Sequence, residues 1–404
     1  MTLRVLAVAD SESFLKWAAT TLERLALDGT GVHGDVTLVK GPLEPSPAQV
    51  RAALAGTRMT SAPVVSRQRL ARIVKDEQPD AVLVAATGPV AEMIALTVLR
   101  AAGDRRAVLL SGPPGVAMSP AATTGVRWRY RWCDAYIVHS PREADLFTTA
   151  FERYGSAPRI VLTRLPFLAE PPTTRPQAPV RRVVFAPQSI VPHTRSERVA
   201  LLRGLARLHD DGFEVVVKVR TSAGEQQTHH EALPFETLWR QEHGRLGHAR
   251  DALRFEAGSM SDWLSPGTAL VTVSSTAALE SLSLGLPTVV LPDFGVTPDL
   301  GNAVYEGSGC IVPLRELGTV LRAGGPVPDP DWLAANYLHD AAESVTETIR
   351  DLLPAVGGPA TPRGFVRPVS RAIAVYSALK SDLPLLWYPA KWGRALIGRF
   401  VRLH

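Results

Sequence analysis

The chain has little cysteine and no long apolar run, and each shortage excludes a class of protein. Cys133 and Cys310 are the only cysteines among 404 residues, and they lie far apart without metal-site spacing. A disulfide framework is therefore excluded, and we expect two buried thiols in a reducing cytoplasm. No run of eighteen apolar residues occurs, and the first residues lack the basic and apolar regions of a signal peptide. We expect neither a transmembrane helix nor a secretory leader.

Nucleotide-binding and metal-binding motifs of the common kinds are also missing. The chain has no Walker A pattern and no complete Gly-x-Gly-x-x-Gly motif, which argues against an ATPase and a dinucleotide enzyme. The one pair of adjacent histidines, His229 and His230, has no carboxylate cluster to accompany it. Metal sites need several convergent ligands, so we expect no metal and no cofactor.

The net charge of +5 is unevenly placed along the chain. Residues 363–404 carry eight basic residues and one acidic residue, which gives +7 and leaves −2 for the remainder. Trp, Tyr and Phe are interleaved with these basic residues, as at the headgroup level of a membrane. The tail predicts peripheral attachment to an anionic inner membrane surface, with domain packing as the alternative. The body of the chain has no basic excess of the kind that indicates nucleic-acid binding.

Apolar strands alternate with helix-like stretches in both halves of the chain, which predicts an α/β protein with doubly wound parallel sheets. Five prolines interrupt this alternation within 166–179. Proline fixes φ and lacks an amide donor, so this segment can be neither a helix nor a central strand. We predict an N-terminal Rossmann-like domain over 1–168, a linker over 169–179, a C-terminal domain over 180–350 and an extension over 351–404.

Residues 271–292 carry the most informative pattern in the sequence. An apolar strand ends in the hydroxyl turn Ser274, Ser275 and Thr276, and a short helix with Glu280 follows before Gly285-Leu286-Pro287 and a second strand. A parallel strand–helix–strand crossover places the helix N-terminus at the carboxyl edge of the sheet. Free amide groups and the helix dipole favour phosphate there, and the hydroxyls add hydrogen-bond donors.

Glu280 has a position that capping does not explain. Whichever of Ser274, Ser275 or Thr276 is the N-cap, the third helical residue is Ala277, Ala278 or Leu279 and not Glu280. A capping box needs its carboxylate at that third position. Glu280 is therefore free to bind ribose hydroxyls, and the segment predicts half of a nucleotide-sugar site, with plain capping of the helix by Ser or Thr as the alternative.

This segment resembles the donor-binding element of GT-B glycosyltransferases, in which a small or hydroxyl turn holds the donor phosphate and a helix Glu holds the ribose. The spacing from Glu280 to Gly285-Leu286-Pro287 is similar to that of the peptidoglycan N-acetylglucosaminyltransferases. The Ser-Ser-Thr turn is closer to bacterial sialyl-, polysialyl- and Kdo transferases, which use CMP-activated sugars. The whole chain resembles a family of actinobacterial glycosyltransferases defined mainly by sequence. The resemblance implies two Rossmann-like domains facing a cleft, and a helix from Asp340 to Leu353 that returns to the N-terminal domain.

Loops that follow the other predicted strands supply the remaining candidates, because ligands of doubly wound sheets bind at the carboxyl ends of the strands. Asp10 and Glu12 follow the first strand, where many GT-B enzymes keep the base that takes the acceptor proton. Helix capping by Asp10 is the alternative. By resemblance, the loop after the first strand of the second domain meets donor phosphate, and a later loop contacts the nucleobase. The donor-site candidates from these loops are Gln188, His193, Lys218, Arg220, His229 and Ser259.

One of these loops departs from the sialyltransferase pattern. A His-Pro pair ends the equivalent strand there, whereas this chain has Lys218, Arg220 and the later His229. A cation at that place can still neutralise a leaving CMP phosphate. The expected activity is inverting, metal-independent transfer of a sugar from a CMP-activated donor to a hydroxyl of a cell-surface glycan or lipid-linked acceptor. A UDP-sugar donor, a GT-B-fold UDP-sugar 2-epimerase and a non-catalytic sugar-nucleotide-binding partner are the alternatives.

Overall fold

A computed structural model describes residues 2–27, 31–41, 43–102, 105–169, 178–188, 191–219 and 233–356. The first half alternates strands with helices, in the order β1 Leu3–Ala9, α1 Glu12–Leu27, β2 Val32–Val39, α2 Pro47–Leu54, β3 Val64–Val65, α3 Arg67–Glu77, β4 Ala81–Ala85, α4 Gly88–Ala101, β5 Val108–Ser111, α5 Pro120–Thr124, β6 Ala135–Val138, α6 Pro141–Glu152 and β7 Arg159–Leu162. The sequence predicts strands over 3–9, 35–39, 81–85, 107–111, 135–139 and 159–162 in this half, and a strand over 310–312 in the other. The first six are confirmed, since β1, β2, β4, β5, β6 and β7 lie within a few residues of those bounds.

The second half contains β8 Arg182–Ala186, α7 Arg195–Asp210, β9 Glu214–Lys218, α8 Phe235–Glu242, β10 Arg254–Glu256, β11 Thr268–Thr272, α9 Ala277–Ser283, β12 Thr288–Val290, α10 Leu317–Arg322, α11 Pro330–Ala335 and α12 Val345–Leu352. The predicted strand at 310–312 is reduced to one parallel bridge between Val290 and Ile311. Residues 170–177 of the predicted linker, and the basic tail 363–404, lie outside the described residues.

The described strands form two parallel sheets, which confirms the predicted α/β architecture. The first sheet has the order β3-β2-β1-β4-β5-β6-β7, and the second has the order β10-β9-β8-β11-β12. In each sheet the early strands of the chain lie on one side of the first strand, β1 or β8, and the later strands lie on its other side. The order therefore reverses between β1 and β4 in the first sheet, and between β8 and β11 in the second. These two switch points are where open α/β sheets bind ligands.

Alternate residues of each strand bury against helices on the two faces of its sheet. Val5 and Ala7 of β1 lie in a core with α1 and α2, whereas Leu6 and Val8 lie in a core with α3, α4 and α6. The second sheet is covered in the same way, by α7, α8 and α10 on one face and by α9 and α11 on the other. Apolar side chains on both faces explain why these strands read as continuous apolar runs.

Helix α12 belongs to the core of the first sheet although it follows the second sheet in the chain. Val345 and Ile349 pack in the same apolar cluster as β1 and α1. The backbone amide of Glu343 donates to the carbonyl of Leu162 at 2.7 Å, which fixes the approach of this segment to β7. The predicted return of the last helix to the N-terminal domain is thus confirmed.

Candidate functional site

Asp10 and Thr87 meet at the switch point of the first sheet. Asp10 follows β1 and Thr87 follows β4, and the last residues of these strands, Ala9 and Ala85, are paired in register. The Asp10 carboxylate oxygen Oδ2 accepts hydrogen bonds from the Thr87 amide at 2.9 Å and from the Thr87 hydroxyl at 2.5 Å. Asp10 therefore joins two loops of the sheet edge, and its side chain is directed to Thr87 rather than to the capping of α1.

The Asp10 carboxyl is 2% exposed, and its second oxygen, Oδ1, is buried with no hydrogen-bond partner among the described residues. Burial raises the pKa of this carboxyl, and hydrogen bonds from Thr87 and Ser11 and the charge of Arg129 oppose the rise. One oxygen is thus held in place while the other keeps its acceptor capacity. This arrangement suits a general base, which must be oriented and must also bind the proton it removes.

A second switch point, in the C-terminal sheet, brings the hydroxyl turn next to Gln188. Ser274 follows β11 and Gln188 follows β8, and the Ser274 hydroxyl donates to the Gln188 amide oxygen at 2.6 Å. The Ser275 hydroxyl accepts from the Ala277 amide at 3.2 Å and so caps α9. Thr276 makes no side-chain capping bond at the start of that helix. The predicted grouping of Gln188 with the turn is therefore present, and Ser275 has a structural role as well.

Glu280 lies one turn into α9 and makes no capping contact, as its spacing predicted. Its Oε1 atom instead lies 3.1 Å from the Nζ atom of Lys16, which is on α1 of the other domain. The same ammonium is 4.5 Å from the centre of the Phe167 ring. The carboxylate is thus paired with a residue of the other domain in this structure, a contact that no local pattern in the sequence predicts.

A glycine turn of the first domain reaches the hydroxyl turn of the second. A Cβ atom added to Gly115 would lie 2.8 Å from the Cγ2 atom of Thr276. Only a residue without a side chain allows so close an approach of the two loops. The carboxyl edges of the two sheets therefore approach each other at this contact, where the edge that contains Asp10 meets the edge that contains the hydroxyl turn.

Lys218 ends β9 at the same edge of the second sheet. Its ammonium donates to the carbonyl of Gly258 at 2.6 Å and to that of Val219 at 3.3 Å. Burial lowers the pKa of Lys218, and the carboxylates of Asp262, Glu12 and Glu256 oppose that shift. Glu12, the other predicted base candidate, belongs to the first turn of α1, so two candidates that the sequence predicts for different roles interact electrostatically across the domains.

Other predicted donor residues lie apart from this cluster or outside the described residues. His193 is exposed immediately before Thr194, which with Glu197 forms the capping box of α7. The Ser259 hydroxyl is 2.7 Å from that of Ser261, in an exposed loop. Arg220 and His229 lie outside the described residues.

The structure shows a buried polar cluster around Glu143 that the sequence analysis does not predict. Glu143 at the start of α6 accepts hydrogen bonds from the amides of Ala117 and His139, both at 2.8 Å, and from the Tyr337 hydroxyl at 2.5 Å. Burial raises the pKa of Glu143 to about 7. These bonds tie the segment before α12 to the first domain. Ser140-Pro141-Arg142-Glu143 has the spacing of a capping box after a strand, and this signal was available in the sequence.

His139 is fully buried in the same cluster. The indole of Trp17 donates to its Nε2 atom at 2.9 Å, and the Thr163 hydroxyl lies 3.2 Å from its Nδ1 atom. Burial lowers the pKa of this imidazole to about 4, so the ring is neutral at physiological pH. Both ring nitrogens are engaged within the protein, and His139 is therefore a structural histidine at the edge of the site.

Within the described ranges, no group of three or more His, Cys, Asp or Glu side chains is arranged to hold a metal ion. Every helix in those ranges falls short of the length and apolarity that crossing a bilayer requires.

Two parallel α/β domains with facing switch points define a GT-B fold, and solved structures share it. A putative UDP-N-acetylglucosamine 2-epimerase from Listeria monocytogenes is 10% identical, with a TM-score of 0.52 over 95% of this chain and 97% of that one. A complex of S. aureus MnaA with UDP is 11% identical, with a TM-score of 0.51 over 92% of this chain and 95% of that one. At these identities the likeness is one of fold.

The sequence matches the family model "Putative glycosyltransferase (DUF6716)" over residues 5–352, and the chain belongs to that family. No curated protein sequence matches it. The predicted GT-B fold is thus confirmed, and family membership supports a glycosyltransferase.

Proposed function

We propose that the protein transfers a sugar from a CMP-activated donor, of the nonulosonate or Kdo-like class, to a hydroxyl of a glycan acceptor, with inversion and without a metal. The observation that carries this proposal is the approach of Gly115 to Thr276, which brings the carboxyl edge of the first sheet, where Asp10 keeps the unpartnered oxygen Oδ1, to the hydroxyl turn of the second. A base on one side of a cleft and phosphate donors on the other are the two parts that direct displacement requires.

In the proposed reaction, the acceptor hydroxyl attacks the anomeric carbon while the bond from that carbon to the phosphate oxygen breaks. The hydroxyl proton passes to Asp10, and the electron pair of the broken bond leaves with the nucleotide phosphate. Ser274, Thr276 and the N-terminus of α9 stabilise the charge on that phosphate, and Lys218 adds a cation at the same sheet edge. Glu280 binds the ribose hydroxyls of the donor.

The preference for a CMP-activated donor rests on the Ser274-Ser275-Thr276 turn, which resembles that of bacterial transferases that use such donors. A UDP-sugar donor is the second candidate, because structures of similar fold carry UDP or are described as UDP-sugar enzymes.

A UDP-sugar 2-epimerase is a third candidate, favoured by the same similarity of fold. Epimerisation requires several acid–base groups in one cleft and no acceptor. The imidazole of His139 is engaged by Trp17 and Thr163 and is not available for such a role. Incubation with the donor alone distinguishes the two reactions, because an epimerase yields the 2-epimer and a transferase yields only slow hydrolysis.

On the acceptor side, the proposal includes a lipid-linked or growing cell-surface glycan held near an anionic membrane. The +7 charge of residues 363–404 would attract such a surface with about 1 kcal/mol per basic residue, screened by salt. Binding of the full chain to anionic liposomes should therefore weaken as salt rises. Packing of the tail on the protein would leave liposome binding absent at low salt.

Replacement of Asp10 by Asn tests the proposed base. Asn keeps a carbonyl oxygen for Thr87 but cannot take a proton, so transfer should fall by about 10²–10⁴-fold. Calorimetric affinity for CMP should stay within about threefold of the wild type. Asp76→Asn, at an exposed position on α3, is the control and should change neither quantity. Nearly full transfer activity in Asp10→Asn would exclude Asp10 as the base.

A further inference from the structure

Lys16 and Glu280 form an ion pair that joins the two domains over the donor site. The Nζ and Oε1 atoms are 3.1 Å apart, and the side chains are 38% and 17% exposed. The pair is thus neither a fully solvated surface contact nor a buried structural bridge. Phe167, at 4.5 Å from the ammonium, supplies an apolar face that supports a cation at this place.

This pair competes with the role that the proposed function gives to Glu280. A carboxylate that binds both ribose hydroxyls of a donor uses both of its oxygens, and Lys16 now lies against one of them, Oε1. A ribose hydroxyl that binds Oε1 from the cleft displaces the lysine from that oxygen. A released ammonium beside an anionic ligand will pair with the nearest negative group.

In the proposed function, the donor phosphate is the negative group that binds at the hydroxyl turn. Thr276 and Glu280 are four residues apart on adjoining turns of α9, and such side chains are neighbours about 5–6 Å apart at their Cβ atoms. A phosphate on the hydroxyl turn therefore lies about one helical turn from the present position of the Lys16 ammonium. The flexible four-carbon stem of lysine spans that distance without movement of α1.

We infer that Lys16 is a phosphate-binding residue that the N-terminal domain contributes to the donor site, and that it passes from Glu280 to the donor phosphate when the donor binds. The inference rests on the proposed function. Asp10 and Lys16 lie on the same β1–α1 unit, so one rigid element holds both the base and a cation for the leaving group. Lys16 thereby selects ligands that carry both a ribose and a phosphate.

The test compares ligands with and without phosphate by calorimetry. Wild type, Lys16→Met and Lys16→Arg are each titrated with cytidine and with CMP, and in parallel with uridine and UDP. In Lys16→Met, Glu280 is released from its partner, so nucleoside affinity should be unchanged or higher, while nucleotide affinity should fall. The ratio of nucleotide to nucleoside affinity should decrease about tenfold or more, and Lys16→Arg should restore most of it.

Lys75→Met is the matched control, since Lys75 is an exposed lysine on another helix of the same domain. It should leave both affinities unchanged. A purely structural bridge would lower nucleoside and nucleotide affinities by the same factor in Lys16→Met, and that result would overturn the inference while leaving the proposed function intact. Absence of binding of every nucleotide to the wild type would instead overturn the proposed function, and the inference with it.

Discussion

At the scale of single residues, Asp10 depends on a neighbour that is distant in sequence. Burial raises the pKa of its carboxyl, and the two hydrogen bonds from Thr87 limit that rise. A base that must be ionised loses activity as the pH falls through its pKa. The environment of Asp10 therefore determines the pH at which kcat/KM for sugar transfer falls on the acidic side.

Thr87→Val tests this dependence. Valine keeps the shape of threonine and the backbone amide bond but removes the hydroxyl donor to Asp10. The lost hydrogen bond stabilises the charged carboxylate, so its removal should raise the pKa of Asp10 further. The acidic limb of kcat/KM against pH should therefore move to higher pH.

Thr97→Val is the matched control, because the Thr97 hydroxyl donates to the Met93 carbonyl within α4 and does not reach Asp10. The acidic limb of kcat/KM against pH for Thr97→Val should coincide with that of the wild type. If the acidic limb of Thr87→Val also coincides with it, Asp10 does not control the pH dependence of kcat/KM.

Asp10 and Glu280 could be predicted as candidate site residues from the sequence because their positions after a strand and within a helix are local properties. Their partners, Thr87 and Lys16, lie 77 and 264 residues away and are brought close only by sheet order and domain packing. No local pattern carries that information. The same limit applies to Tyr337, which reaches Glu143 from the far end of the chain.

At the scale of secondary-structure elements, apolar runs were enough to find the long central strands. Ala81–Ala85 and Thr268–Thr272 are buried throughout, so each strand forms an apolar or weakly polar run of five residues in the sequence. Short edge strands form no such run, as the two-residue strand Val64–Val65 shows. Helix α2 was missed although Ser46 and Gln49 form its capping box, because its eight residues bury only three side chains.

The hydroxyl turn combines capping with the proposed phosphate binding, and two substitutions separate these roles. Ser275→Ala removes the hydroxyl that accepts from the Ala277 amide, so the free energy of unfolding should fall by about 1 kcal/mol. The Thr276 hydroxyl makes no hydrogen bond within the described residues, so Thr276→Val should leave stability unchanged within about 0.5 kcal/mol. The affinity of the Thr276→Val variant for CMP should fall about tenfold.

Denaturant unfolding and calorimetry measure the two effects on the same preparations. Each variant acts as the control for the other. Loss of stability in Thr276→Val with unchanged CMP affinity would show that this turn is only a helix start.

At the scale of the whole molecule, contacts between distant parts of the chain hold the edges of the two sheets together. Among them, Lys16 contacts Glu280, Gly115 approaches Thr276, and Tyr337 bonds to Glu143. The sequence predicted two domains from the alternation of strands and helices and from the proline-rich break at 166–179. It did not predict these contacts, because each one joins residues from different domains or from the returning C-terminal segment.

Calorimetric titration of the wild-type chain with CMP, CDP, UDP and GDP tests directly whether the hydroxyl turn and Glu280 form a nucleotide-sugar site. We predict one saturable site, with CMP bound more tightly than GDP by about tenfold or more, which is about 1.4 kcal/mol. UDP bound more tightly than CMP would assign a UDP donor and contradict the proposed CMP preference. Binding of none of the four nucleotides would contradict the donor site itself.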